Sequence, residues 1–309
     1  MKLNMKIFDS MKLQTPVADE KCKVGISYND KIMMIGSCFS DNIGKQLNDL
    51  GFDVCVNPFG TLYNPASIAE AVKRMIDAVP FTANDCTEIG AGSHKICSFS
   101  HHTSFARESA EEFLENANKA LTEAADFFSR CNKVIITLGT SWCYRHIVNN
   151  RIVSNCLKHP AAEFAREFLP ADQTSALLAD IIRTCQETVA SNPGFAEKEF
   201  IFTVSPIRHF KDGAHGNQLS KAALLLGVDN TIRTHTDKAD YFPAYEIVMD
   251  ELRDYRFYAE DMCHPTLQTA NYIRERFLGW ALPAYEHQKL EENIRAFKHS
   301  CHRSSHATL

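Results

Sequence analysis

Short apolar runs alternate with longer stretches of helical period along the chain. Residues 31–36 (KIMMIG) form a compact apolar run closed by glycine, and Ile43, Leu47 and Leu50 then recur at helical spacing. The pattern predicts strand, turn and helix, the helix over residues 41–50. Residues 52–56 alternate like a second strand, and residues 66–79 return to helical period. The intervening NPFGTLYNP, residues 57–65, carries two prolines and a glycine, too irregular for a plain linker. Residues 106–130, rich in Ala, Glu, Leu and Phe, predict a long amphipathic helix. It leads into KVIITL at 133–138, apolar on both faces as central parallel strands are. Residues 143–148 and 151–156 flank Asn149-Asn150 as a small hairpin. Helices are expected over 172–191, 217–226, 266–278 and 286–297, a strand over 199–204, and a further strand-like alternation over 245–249. The tail after His299 is expected to be loose.

Repetition of strand and helix, with strands buried on both faces, implies a parallel sheet covered by helices on each side. No internal repeat, low-complexity tract or proline-rich linker divides the chain. One α/β domain over residues 1–309, with insertions near 85–105 and 143–170, is the expected organisation. In such sheets ligands sit beyond the carboxyl ends of the strands. Those ends read Gly36-Ser37-Cys38-Phe39-Ser40, then Gly60, Gly139-Thr140-Ser141-Trp142, and Ser205-Pro206-Ile207-Arg208-His209. Late in the chain, Asp261-Met262-Cys263-His264-Pro265-Thr266 sets a carboxylate three residues before a histidine, just ahead of a helix.

These residue types suit nucleophilic chemistry. A hydroxyl or thiol nucleophile needs a base, a carboxylate to orient that base, and N–H donors for the oxyanion. Ser37 or Cys38 at a helix N-terminus would be the nucleophile, His264 the base, and Asp261 the group that holds its tautomer. Other chemistries find less support. Formal charge is −5, the wrong sign for a dedicated nucleic-acid or anionic-membrane binder. His101-His102 and the pair His209 and His215 lack zinc-site spacing, and no G-x-G-x-x-G or P-loop is present, so neither metal nor cofactor is expected. Eleven cysteines without a C-x-x-C pair suit reduced thiols. With no apolar run of signal-peptide length and none near the roughly 18 residues of a membrane span, a cytoplasmic location is expected.

GSCFS at 36–40, NPFGTLYNP, TLGTSW, SPIRHFKDG and DMCHPT together resemble the signature blocks of the GSCFA family, a bacterial group related to the SGNH/GDSL hydrolases. The resemblance implies a flavodoxin-like three-layer α/β/α sandwich and ester hydrolysis or acyl transfer. DMCHP is similar to the SGNH closing block, giving Asp261 and His264. Gly60 matches the block whose backbone N–H helps form the oxyanion hole. SGNH enzymes place their serine two positions after the glycine, which here is Cys38, while Ser37 stands where they carry aspartate. Either residue is a candidate nucleophile. The third block lacks the usual oxyanion asparagine, so Ser141, Asn64 or Arg208 is expected to stand in for it. Arg208 and His209 are candidates for binding an anionic substrate or product, against an ordinary structural ion pair. The implied substrate is a small or carbohydrate-linked ester. The competing expectation is a ligand-binding protein on the same scaffold that has lost efficient catalysis.

Overall fold

The computed structural model describes residues 14–18 and 22–306, with side chains described as far as His299. The elements run β1 (Lys31–Gly36), α1 (Cys38–Asp49), β2 (Asp53–Val56), α2 (Pro65–Asp77), a short ladder of β3 (Thr87–Glu88) and β4 (Ile96–Cys97), and α3 (Ala110–Arg130). Next come β5 (Lys133–Leu138), β6 (Trp142–His146), β7 (Arg151–Val153), β8 (Phe164–Phe168), α4 (Ala171–Ser191), β9 (Glu199–Val204) and α5 (Gly213–Thr234). β10 (Ala239–Tyr241), α6 (Ala244–Glu246), α7 (Leu267–Ala281) and α8 (His287–His306) complete the order.

Five strands form one parallel sheet in the order β10-β9-β5-β1-β2. β5 is central and buried along its whole length. Alternation along β1 separates two apolar layers. Met33 and Ile35 face α2 to α5 through Ile68, Phe113, Leu178 and Leu224, whereas Ile32 and Met34 face α1 and α7 through Ile43, Leu47, Ile273 and Phe277. Helices therefore cover both faces, and the chain is a three-layer α/β/α sandwich in the flavodoxin-like strand order. Fully buried Phe113 and Phe128 each contribute roughly 1.5–3 kcal/mol to that packing.

The structure departs from the sequence expectation in four places. Residues 245–249 are not a strand. Ala244, Ile247, Val248 and Glu251 are buried at helical spacing, and the chain winds through α6 into a wide turn over Ile247–Leu252. The fifth parallel strand is instead the three-residue β10, paired with β9. The hairpin at Asn149-Asn150 gains a third strand, because β8 pairs antiparallel with β6 from Trp142↔Phe168 to His146↔Phe164. Arg145 locks that pairing with a two-pronged contact to Glu167, at 2.7 and 3.0 Å. Finally, the backbone beyond His299, expected to be loose, continues as α8 to His306. The N-terminal stretch, expected to carry no signal peptide, lies mostly outside the described residues. Among the described residues no helix is long and apolar enough to cross a membrane.

Candidate active site

The turn leaving β1 is built from its glycine outward. Gly36 has φ +150°, and a Cβ there would lie 2.1 Å from the Thr137 carbonyl oxygen on β5, so no other residue fits. Ser37 follows with its N–H donated to that same carbonyl (3.2 Å), and its Oγ accepts the Phe39 N–H at 3.3 Å. Ser37 is the N-cap of α1 and has no exposed surface. That burial makes it a poor nucleophile for an outside substrate. Cys38, the first residue of α1, is only partly buried and is the more accessible of the two candidates. Its thiol is pushed up, chiefly by burial and then by the Asp41 carboxylate, while the N–H groups of Cys38 and Phe39 pull it down. Burial wins over the helix terminus, so Cys38 rests as a thiol and needs a base to ionise.

The loop after β2 supports this turn. Asn57, in left-handed backbone (φ 42°), accepts the Gly36 N–H through Oδ1 (2.8 Å) and donates Nδ2 to Asp41 (2.6 Å). Its carbonyl takes the Gly60 N–H at 2.8 Å. Gly60 is thus not a free oxyanion donor. The glycine is required for another reason, since its φ is +83° and a Cβ would sit 2.3 Å from His102 Cβ. Asn64 is likewise committed elsewhere: it caps α2, accepting the Ser67 N–H (2.9 Å) and donating Nδ2 to Ser67 Oγ (3.0 Å). Capping uses its carbonyl oxygen and one of its two Nδ2 N–H donors. Ser141 is fully buried, with its N–H donated to Ser220 Oγ (2.8 Å) and its own hydroxyl without a partner among the described residues. No exposed surface remains through which it could meet a substrate.

Backbone bonds lace the strand ends together. The Leu62 N–H donates to Gly36 O (2.8 Å), and Gly139 and Thr140 both donate to Tyr63 O (2.8 and 2.9 Å). Ser205 N–H donates to Leu138 O (2.8 Å), and Arg208 N–H to Cys263 O (3.1 Å). This last bond seats the Asp261–His264 turn on the end of β9, two strands from β1, or about 10 Å across the sheet. Asp261 Oδ1 accepts the N–H groups of Cys263 and His264 (both 2.9 Å), and Oδ2 meets His264 Nδ1 at 2.5 Å. These three bonds hold the Asp261 carboxyl down at about 2, so it is ionised and fixes the proton of the imidazole on Nδ1. Nε2 is left as the basic nitrogen, on a ring about half exposed.

A series of neighbours connects the two turns. Tyr63, whose hydroxyl is raised by burial and feels Cys38 and Asp41, packs edge-on against His209 with ring centroids 5.9 Å apart. His209 is pushed down to about 4, first by burial and then by the charges of Lys221 and His264. It is neutral at physiological pH, with Nε2 buried and without a partner among the described residues, and so is not the cationic anion ligand the sequence suggested. Arg208 stands at the rim and donates Nη1 to Met262 O (3.3 Å), bracing the turn rather than aiming at the Cys38 side.

Sequence reasoning missed Lys221. It is wholly buried, donates Nζ to Gly139 O and Ser205 O (2.7 Å each), and ties the ends of β5 and β9. Burial pushes its ammonium down to about 7. The signal was present: Asn217, Lys221, Leu224 and Val228 fall on one face of α5, which places a lysine in a core stripe. Asn57 carried a weaker signal, as an asparagine in a turn that needs positive φ. No curated protein and no solved structure matches the chain. A family model, the GSCFA family, matches residues 31–277.

Proposed function

The chain belongs to the GSCFA family, and on that footing we propose that it is an SGNH-like esterase or acyltransferase whose nucleophile is Cys38 and whose base is His264. The observation that carries the reading is the Asp261–His264 pair, with Nδ1 held at 2.5 Å, standing at the same carboxyl end of the parallel strands that presents Cys38 at a helix N-terminus. In the reaction, Cys38 Sγ attacks the ester carbonyl as its proton passes to His264 Nε2. The Cys38 N–H at the start of α1 faces the developing oxyanion. Collapse forms a thioester and breaks the C–O bond, and the departing alcohol takes the proton from His264. Water or an acceptor hydroxyl then gives its proton to His264, attacks the thioester and restores the thiol. Asp261 stabilises the imidazolium throughout.

The test is a panel of p-nitrophenyl esters from acetyl to octanoyl. Cys38→Ala is expected to abolish turnover, and His264→Ala to lower kcat/KM by roughly 10²–10⁴ with the fold intact. The engaged N–H of Gly60 and the capping role of Asn64 favour a second reading, a binding protein on this scaffold. Absence of turnover across the whole panel would select it.

A further inference from the structure

Beside the closing turn lies a cavity of about 230 Å³, lined by Arg208, Val248, Met249, Arg253, Asp254, Tyr255 and Tyr258. Two of its lining residues, Arg208 and Tyr258, bond directly to the turn that carries His264. Tyr258 forms an antiparallel bridge with Pro265, Ala259 donates its N–H to His264 O at 2.7 Å, and Arg208 holds both Cys263 and Met262. We propose that the substrate carries an acidic group, a carboxylate or a phosphate, which seats on Arg208 in this cavity. The proposal rests on the esterase reading above and names the substrate class of that same site.

Three observations carry it. First, the Arg208 guanidinium lies 4.1 Å from the Phe210 ring centroid and 5.5 and 5.9 Å from those of Tyr258 and Tyr255, and no carboxylate pairs with it among the described residues. An arginine has five N–H donors in a planar fork, and a single contact to Met262 O leaves most of that fork for a planar or tetrahedral oxyanion. Aromatic faces hold the cation in place without neutralising it. Second, Arg253 adds a further positive charge to the same wall, and its own partner Asp250 is distant at 3.8 Å. Third, the one carboxylate lining the cavity, Asp254, is engaged within its own turn, where Oδ1 accepts the Arg256 N–H at 2.9 Å and Oδ2 stands 3.7 Å from Arg256 Nε. A local cationic lining in a chain of formal charge −5 is a selective feature rather than a general background. The volume matches about seven or eight water-sized groups, enough for a short acid chain beside the apolar walls of Val248 and Met249.

Binding is tested without reference to turnover, by calorimetry on the whole chain with glutarate, its neutral isostere glutaramide, and inorganic phosphate. The proposal expects glutarate or phosphate to bind at least tenfold more tightly than glutaramide. The tighter of the two identifies which acid the site takes. Arg208→Met is expected to weaken that binding at least tenfold, Arg208→Lys less, and Arg253→Gln about threefold. Arg253→Gln leaves the contact to Met262 intact and carries the test if Arg208→Met does not fold. Equal binding of glutarate, phosphate and glutaramide, or unchanged acid binding in both Arg208→Lys and Arg253→Gln, overturns the proposal. In parallel, the p-nitrophenyl monoester of glutaric acid is compared with p-nitrophenyl butyrate. A tenfold higher kcat/KM for the acidic ester that shrinks in Arg253→Gln supports the proposal. Acid binding with no turnover of any ester removes the esterase reading and keeps the site, whereas turnover without acid preference or acid binding does the reverse.

Discussion

The turn that follows β1 and the turn that carries His264 sit at the same carboxyl end of the sheet but are held by different physics. The first is fixed from within the core. Gly36 touches a β5 carbonyl with no room for a methyl group, Ser37 is sealed beneath α1, and Asn57 and Leu62 bond to the same glycine. The second is held at the surface by short-range contacts, an aspartate bonding two amides and one ring within its own turn, with Met262 in left-handed backbone (φ 56°). The Cys38 side is rigid because it is part of the sheet. The His264 side is locally ordered yet peripheral, so its geometry can be adjusted without disturbing the core. Function placed on such a loop costs little stability to change.

That contrast can be broken most forcefully at Gly36. Gly36→Ala puts a Cβ against a backbone oxygen that cannot move without distorting β5, and is expected to cost about 3 kcal/mol or more, read by urea unfolding. By the same measurement His264→Ala, on a half-exposed ring, is expected to change stability by less than about 1 kcal/mol. Similar losses at both positions would erase the distinction.

Acid titration sharpens it with a smaller effect. His101, buried among Phe59, Phe81, Phe105 and Phe113 with Nδ1 on Ser98 Oγ (2.6 Å), is pushed down to about 3, mainly by burial. His209 is pushed down to about 4. Both are neutral in the folded chain, whereas the unfolded chain binds their protons below about pH 6.5. Stability should therefore fall as pH drops from 6.5, by up to about 1.4 kcal/mol per pH unit for each histidine, until the folded values are reached. Asp261 acts lower, its contribution being present above the ordinary carboxylate range and lost as pH falls through about 2. His101→Phe should roughly halve the slope of unfolding free energy between pH 6.5 and 4. An unchanged slope would show that His101 is not what titrates.

Legibility in the sequence followed the same division between local and long-range causes. β1, β5 and β9 were readable to the residue because both faces of each strand are buried and the apolar run is continuous. β8 was not, since Phe164 and Phe168 bracket exposed Ala165 and Arg166, and its identity depends on pairing with β6. The mistaken strand at 245–249 shows how a short apolar run reads either way until its burial period is known. In the site, the Asp261 and His264 spacing was legible because its bonds are local. The burial of Lys221 was legible in the apolar stripe of α5, whereas the engagement of Gly60 and Asn64 and the burial of His209 depend on partners brought by the fold and could not be read from composition or spacing.

The central claim is that the rim acts through the Cys38 sulfur with His264 as its base. It is tested most directly by trapping the acyl intermediate in a single turnover and mapping it by peptide mass spectrometry. The account predicts an acyl group on Cys38, released by neutral hydroxylamine as a thioester, still formed in Ser37→Ala and at least 100-fold slower in His264→Ala. Acyl found on Ser37, or on Cys38 at an undiminished rate without the histidine, would contradict it.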